Sequence, residues 1–143
     1  MAIRQSVTEQ PVELLPEGDL LVQVSWSSLN YKDALAATGH PGVVRDFPHV
    51  PGIDAAGKVL ESKDPAMPTG SQVVVTGHEM GSGRWGGWSE LIRVPVSWAV
   101  PLPESLSARE SMELGTAGFT AAQCIQALGL NDVLPASGPI AVT

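Results

Sequence analysis

Leu20–Ser27 alternates: Leu20, Val22, Val24 and Trp26 fall on one side, and Leu21, Gln23, Ser25 and Ser27 on the other. A period of two predicts a half-buried β-strand, and Pro16–Asp19 before it supplies a turn. "NYKDALAATG" (30–39) predicts a short helix, with Asn30 able to cap its first turn and Gly39 able to end it. "RDFPHVPG" (45–52) is a loop stiffened by prolines. "IDAAGKVLES" (53–62) predicts a strand whose small residues and Gly57 let another backbone or a ligand approach closely. A turn at 64–70 leads to a buried strand over Val73–Val75. "GSGRWGGWSELIRVP" (81–95) is a glycine-rich loop running into a further strand, and "SWAVPLP" (97–103) is a short strand closed by prolines.

The pattern then changes to helical spacing. Residues 105–130 predict a helix, and Ser107 with Glu110 fits a capping box. From Thr116 onward, Ala117, Ala121, Cys124, Ile125 and Leu128 form a stripe, with Gln123 and Gln126 away from it. Cys124 is expected to be buried as a small apolar residue of that helix. "GPIAVT" (138–143) has the look of a buried strand, which needs neighbours on both sides. The C-terminal portion is therefore expected to be incomplete; the alternative is that residues 139–143 join the edge of the first domain's sheet.

Composition narrows the class. The chain has 143 residues, 43% hydrophobic and 16% charged, which predicts a globular fold with a sizeable core. Fifteen Gly and twelve Pro favour strands and turns over a helical bundle. Net charge is −7 and the basic residues form no run, so nucleic acid is not an expected partner. No apolar run approaches the ~20 residues a membrane span needs and no signal-peptide core appears, so no membrane partner is expected and the cytoplasm is the default location. A single cysteine excludes an internal disulfide and a Cys-rich structural zinc site.

"SSLNYKDALAATG", "FPHVPGIDAAGKV", "GSQVVVTG", "WGGWSELIRV" and "GTAGFTAAQCIQAL" follow one another in an order and spacing that resemble medium-chain dehydrogenase/reductases. The resemblance covers roughly residues 15–143. It is strongest to the zinc-independent quinone-oxidoreductase branch and, within it, the NADPH-dependent acryloyl-CoA reductase group. It implies a mainly β fold with some α: a GroES-like, partly open β-barrel forming the substrate domain (1–114), its first strand lying before Met1. The truncated start of a Rossmann α/β domain (115–143) would follow, as a linking helix and a first strand. The family's glycine-rich phosphate loop would come after residue 143, so these residues alone are expected to be an inactive portion of an NADPH-dependent reductase.

By motif order, Asn30 and Ile53 stand where zinc-dependent relatives place Cys and His. An isoleucine has no lone pair and an amide is a poor zinc ligand, so no metal is expected. Gly77-His78-Glu79 reproduces the missing triplet but follows a different strand; His78 is expected to be a solvated loop histidine. The reaction the resemblance implies is hydride transfer from NADPH to an activated alkene such as acryloyl-CoA. It implies Tyr31 as a cofactor contact, with Asn30 and Thr116 as further cofactor-binding residues; the phenol of Tyr31, neutral at pH 7, also makes it the candidate catalytic donor to the enolate. A core tyrosine and ordinary helix caps are the structural alternatives. Asp54 is a candidate to orient Tyr31 or Lys32, or a structural carboxylate, and Lys32 and Arg45 are candidates for a CoA phosphate. Were Tyr31 idle, backbone amides around Gly52 would be the next enolate donors. The substrate is an enoyl-CoA or, in a second reading, a quinone or enone, and the full-length protein is a candidate homodimer. The alternative from another class is a GroES-like binding module without chemistry.

Overall fold

A computed structural model describes residues 3–141. Its centre is one antiparallel sheet of five strands: β1 (Leu20–Trp26), β2 (Asp54–Ser62), β3 (Gln72–Thr76), β4 (Leu91–Val94) and β5 (Ala99–Pro101). Their order in space is β4-β1-β2-β3-β5, so the two end strands do not pair and the sheet stays open. Helix α1 (Tyr31–Ala37) lies between β1 and β2, and α2 (Ala108–Leu130) follows β5.

Leu20 and Val22 of β1 enter a core shared with Val59 of β2, Val73 and Val75 of β3, and Ile92 and Val94 of β4, closed by Met67 and Met80. Alternation governs this face, but Leu21 is also buried, so the start of β1 is covered on both sides. Trp26, at the end of the alternation, is 48% exposed under the guanidinium of Arg109. Gly57 pairs with Val24 across β1 and β2, and a Cβ there would lie 2.0 Å from the Gln23 carbonyl oxygen. The close approach expected at this glycine is therefore made by a neighbouring strand.

Both helices start as their sequences predict. The Asn30 side chain accepts from the Lys32 amide (3.0 Å), and the Ser107 hydroxyl accepts from the Glu110 amide (3.2 Å). Helix α2 is not continuous: Gly115 takes φ 53° and ψ −162°, a conformation that bends the helix there. Ser111 and Met112 before the bend are buried, whereas no residue from Ala117 to Leu130 is.

Two expectations are corrected here. Cys124 is exposed, because no other described element covers this half of the helix. The strand expected over 138–143 is absent from 138–141, which are exposed and outside any sheet; Val142 and Thr143 lie outside the described residues. No Rossmann portion is evident among the described residues, and no helix there is long and apolar enough to cross a membrane.

Candidate functional site

Two fully buried carboxylates organise one end of the sheet. Asp33, in the first turn of α1, accepts at Oδ2 from the Asn30 amide (2.8 Å). At Oδ1 it accepts from the amides of Gly52 (3.1 Å) and Ile53 (2.9 Å). One side chain thus closes the capping box of α1 and ties that helix to the Pro51–Gly52–Ile53 crossing. Asp54, at the start of β2, accepts from Thr116 twice: at Oδ2 from the amide (2.9 Å) and at Oδ1 from the hydroxyl (2.5 Å).

The glycine-rich loop packs onto the same crossing. The amides of Gly86, Gly87 and Trp88 donate to the carbonyls of Val50, Gly52 and Pro51. Gly52 has φ 106°, and a Cβ there would lie 2.5 Å from the Trp88 nitrogen; one on Gly86 would lie 2.3 Å from the Gly52 oxygen. These glycines interlock backbone with backbone. Their amides are spent inside the fold, so the loop offers no cradle for a phosphate.

A cleft of about 190 Å³ opens where α2 bends, lined by Asn30, Asp54 and Gly115 among others. Tyr31 adjoins Asn30 in the chain and is 79% exposed, outside the cleft lining. Thr116 reaches the same place through its bonds to Asp54. A larger concavity of about 710 Å³ lies elsewhere, beside Glu17, Asp19, Lys63, Arg84 and Arg93. Its acids and bases offset one another; Arg84 donates to the Glu17 carbonyl and Arg93 pairs with Glu61 at 3.5 Å. The smaller cleft, with its buried carboxylate, is the candidate site.

Two expectations change on this geometry, those for Asp54 and for the amides around Gly52. Asp54 orients neither Tyr31 nor Lys32; its oxygens go to the amide and hydroxyl of Thr116, directly after the bend. The amides of Gly52 and Ile53 are unavailable as enolate donors, because Asp33 takes both. Lys32 and Arg45 are exposed. Ile53 is buried, and His78 is exposed, as expected of a loop histidine, with its ring stacked on Trp98 at 4.9 Å and its backbone at φ 54°. Among the described residues, no three His, Cys, Asp or Glu side chains converge as metal ligands would.

Asp33 is the organising residue that reading the sequence missed. Its position three residues after a capping Asn was visible, but the pairing with Gly52 and Ile53 depends on chain crossing.

Residues 16–104 match the family model described as the alcohol dehydrogenase GroES-like domain. The chain is 52% identical over 129 residues to the Escherichia coli (strain K12) protein described as "Probable acrylyl-CoA reductase AcuI", covering 90% of this chain and 40% of that one. It is 33% identical over 136 residues to the chloroplastic quinone-oxidoreductase QR1 of Triphysaria versicolor, covering 92% and 40%. The crystal structure of the YhdH oxidoreductase from Salmonella enterica in complex with NADP matches with a TM-score of 0.90 at 49% identity, covering 93% and 41%. The chain spans about 40% of the length of these curated relatives. On fold, family match and sequence together, it belongs to the medium-chain dehydrogenase/reductase superfamily and carries its GroES-like N-terminal domain.

Proposed function

We propose that this chain forms the substrate side of a zinc-independent, NADPH-dependent reductase acting on an activated alkene, with acrylyl-CoA as the leading substrate. The observation that carries the reading is Asn30, held at its amide by buried Asp33 and lining the cleft, with the exposed Tyr31 next to it in sequence, in a chain about half identical to AcuI. The relative bound to NADP supports the cofactor. At about 190 Å³ the cleft is smaller than the roughly 300–1,000 Å³ of complete ligand sites. It suits one end of a large ligand, the nicotinamide end, and the described residues offer no phosphate cradle.

Bound NADPH would supply the hydride. The chain's own part is to orient the alkene and to stabilise the negative charge that gathers on its carbonyl oxygen. The exposed Tyr31 hydroxyl is the donor we assign to that oxygen, which makes Tyr31 both catalytic and cofactor-contacting. Asn30 spends Oδ1 on its cap and keeps its amide N–H groups for a ligand. Thr116 gives both its N–H and its O–H to Asp54, so its hydroxyl can only accept, for instance from a carboxamide. Residues 1–114 would be the substrate domain and 115–143 the start of a nucleotide-binding domain, a division supported by the bend at Gly115. The relative QR1 favours one second reading, in which the same donors serve a quinone oxygen.

A chimera tests this: residues 1–130 joined to the remainder of Escherichia coli AcuI, assayed for NADPH oxidation with acrylyl-CoA. Turnover is expected, and Tyr31→Phe should lower it about 10²- to 10³-fold, the ~2–4 kcal/mol of a donor used in the transition state. A folded chimera that binds NADPH but reduces only quinones would move the assignment to the second reading. One that reduces neither would end both. Wild-type turnover in Tyr31→Phe would remove the phenol from the chemistry.

A further inference from the structure

At the bend of α2, one helical hydrogen bond has been exchanged for bonds to side chains of the sheet domain. In an unbroken helix the Thr116 N–H would donate to the Met112 carbonyl, four residues earlier. Here the Met112 carbonyl instead accepts from the Ser28 hydroxyl at 2.7 Å, and the Thr116 N–H donates to Asp54 at 2.9 Å. The backbone of Gly115 permits the exchange, with φ 53° in the region where side chains are strained. A Cβ on Gly115 would lie 2.4 Å from the Ser28 hydroxyl oxygen and 2.8 Å from Asp54 Oδ2. Both partners flank the cleft: Ser28 stands two residues before Asn30, and Asp54 directly follows the crossing that Asp33 pins.

The geometry points to Asp54 as a positioning residue, which with Ser28 holds α2 bent at Gly115 and so sets the direction in which residues 116–130 leave the cleft that Asn30 lines. The competing state is a straight helix, in which Gly115 adopts helical angles and Thr116 recovers Met112. That state would leave the buried Asp54 carboxylate without its two donors, so the bent state is favoured while Asp54 is present. Removing the carboxylate removes the penalty for straightening. The consequence for function, the width of the cleft beside Asn30, rests on the proposed reductase reading; the two-state elbow itself does not.

The test uses the 143-residue chain and needs neither cofactor nor turnover. Cys124, the single cysteine, is exposed on the far half of the helix, and Gln72 is exposed on β3. Nitroxide labels on Cys124 and on Gln72→Cys report the helix direction as a distance distribution. One narrow population is expected for the otherwise native chain. Asp54→Ala should add a second population above ~10%, while Asp54→Asn, whose carbonyl still accepts from the Thr116 amide, should restore a single one. Should Asp54→Ala fail to fold, Asp54→Leu, which fills the space without an acceptor, gives the same readout and the same expectation. An unchanged single distance in a folded Asp54→Ala or Asp54→Leu protein overturns the proposal, as does a broad distribution in the native chain. Loss of the elbow with an active chimera, or an intact elbow with an inactive one, separates this inference from the reductase reading.

Discussion

Asp33 and Asp54 show how position alone gives one residue type two tasks. Both are buried carboxylates near the same cleft, yet Asp33 binds a helix to a loop and Asp54 binds the sheet to a second helix. Replacing Asp33 by Ala orphans the buried amides of Gly52 and Ile53 and opens the capping box of α1. Each orphaned donor costs ~1–3 kcal/mol, so Asp33→Ala is expected to lower the unfolding free energy by about 3–5 kcal/mol. Urea unfolding checks it; a loss under about 1 kcal/mol would mean that water replaces the carboxylate. Asn30 was legible from the sequence as a cap, since capping needs only local geometry. The partners of Asp33 and Asp54 were not, because they lie 20 and 62 residues away and are set by how the chain crosses itself.

Helix α2 contains two regimes in one element. Its first turn is held by Ser107 and Glu110, whose carboxyl is lowered from its ordinary value of 4.5 by the Ser107 backbone N–H and then by the Ser107 hydroxyl. A lowered carboxyl contributes stability that is present above its unfolded value and is lost as pH falls through its folded one. Amide protection in the first turn should therefore weaken below pH 4.5, and Glu110→Gln should remove that dependence. An unchanged pH profile in the variant would place the effect on another group. Beyond the bend, protection is expected to be appreciable at Thr116, whose N–H is taken by Asp54, and to fall toward Leu130, where side chains are exposed. Hydrogen exchange resolved by residue checks this, and uniform protection to Leu130 would show that the exposed half is covered in solution. The capping box and the stripe were both readable in the sequence. The bend was not, because a lone glycine in a helical pattern is tolerated, and only the approach of Ser28 and Asp54 makes it a break.

At the scale of the molecule, strand alternation and the order of glycine and proline turns were enough to locate the five strands of the described residues, whereas the family came from the order and spacing of five sequence segments. The expected terminal strand is not formed over 138–141, because a short apolar run takes its state from its neighbours and the described residues supply none there. The exposed half of α2 also has a colloidal consequence. From Leu114 to Asn131 there is no charged residue, while the chain as a whole carries −7. Charge repulsion between copies therefore comes from the sheet domain, and attraction from an uncharged helix exposing Phe119, Ile125 and Leu130. Dissolved salt screens the first and leaves the second, with a screening length near ~30 Å at 0.01 M and ~8 Å at 0.15 M. Light scattering of the 143-residue chain is thus expected to rise with ionic strength between those limits, and Ile125→Lys should flatten the rise. Sulfate should drive it harder than chloride at equal ionic strength, as salting-out of an apolar surface requires.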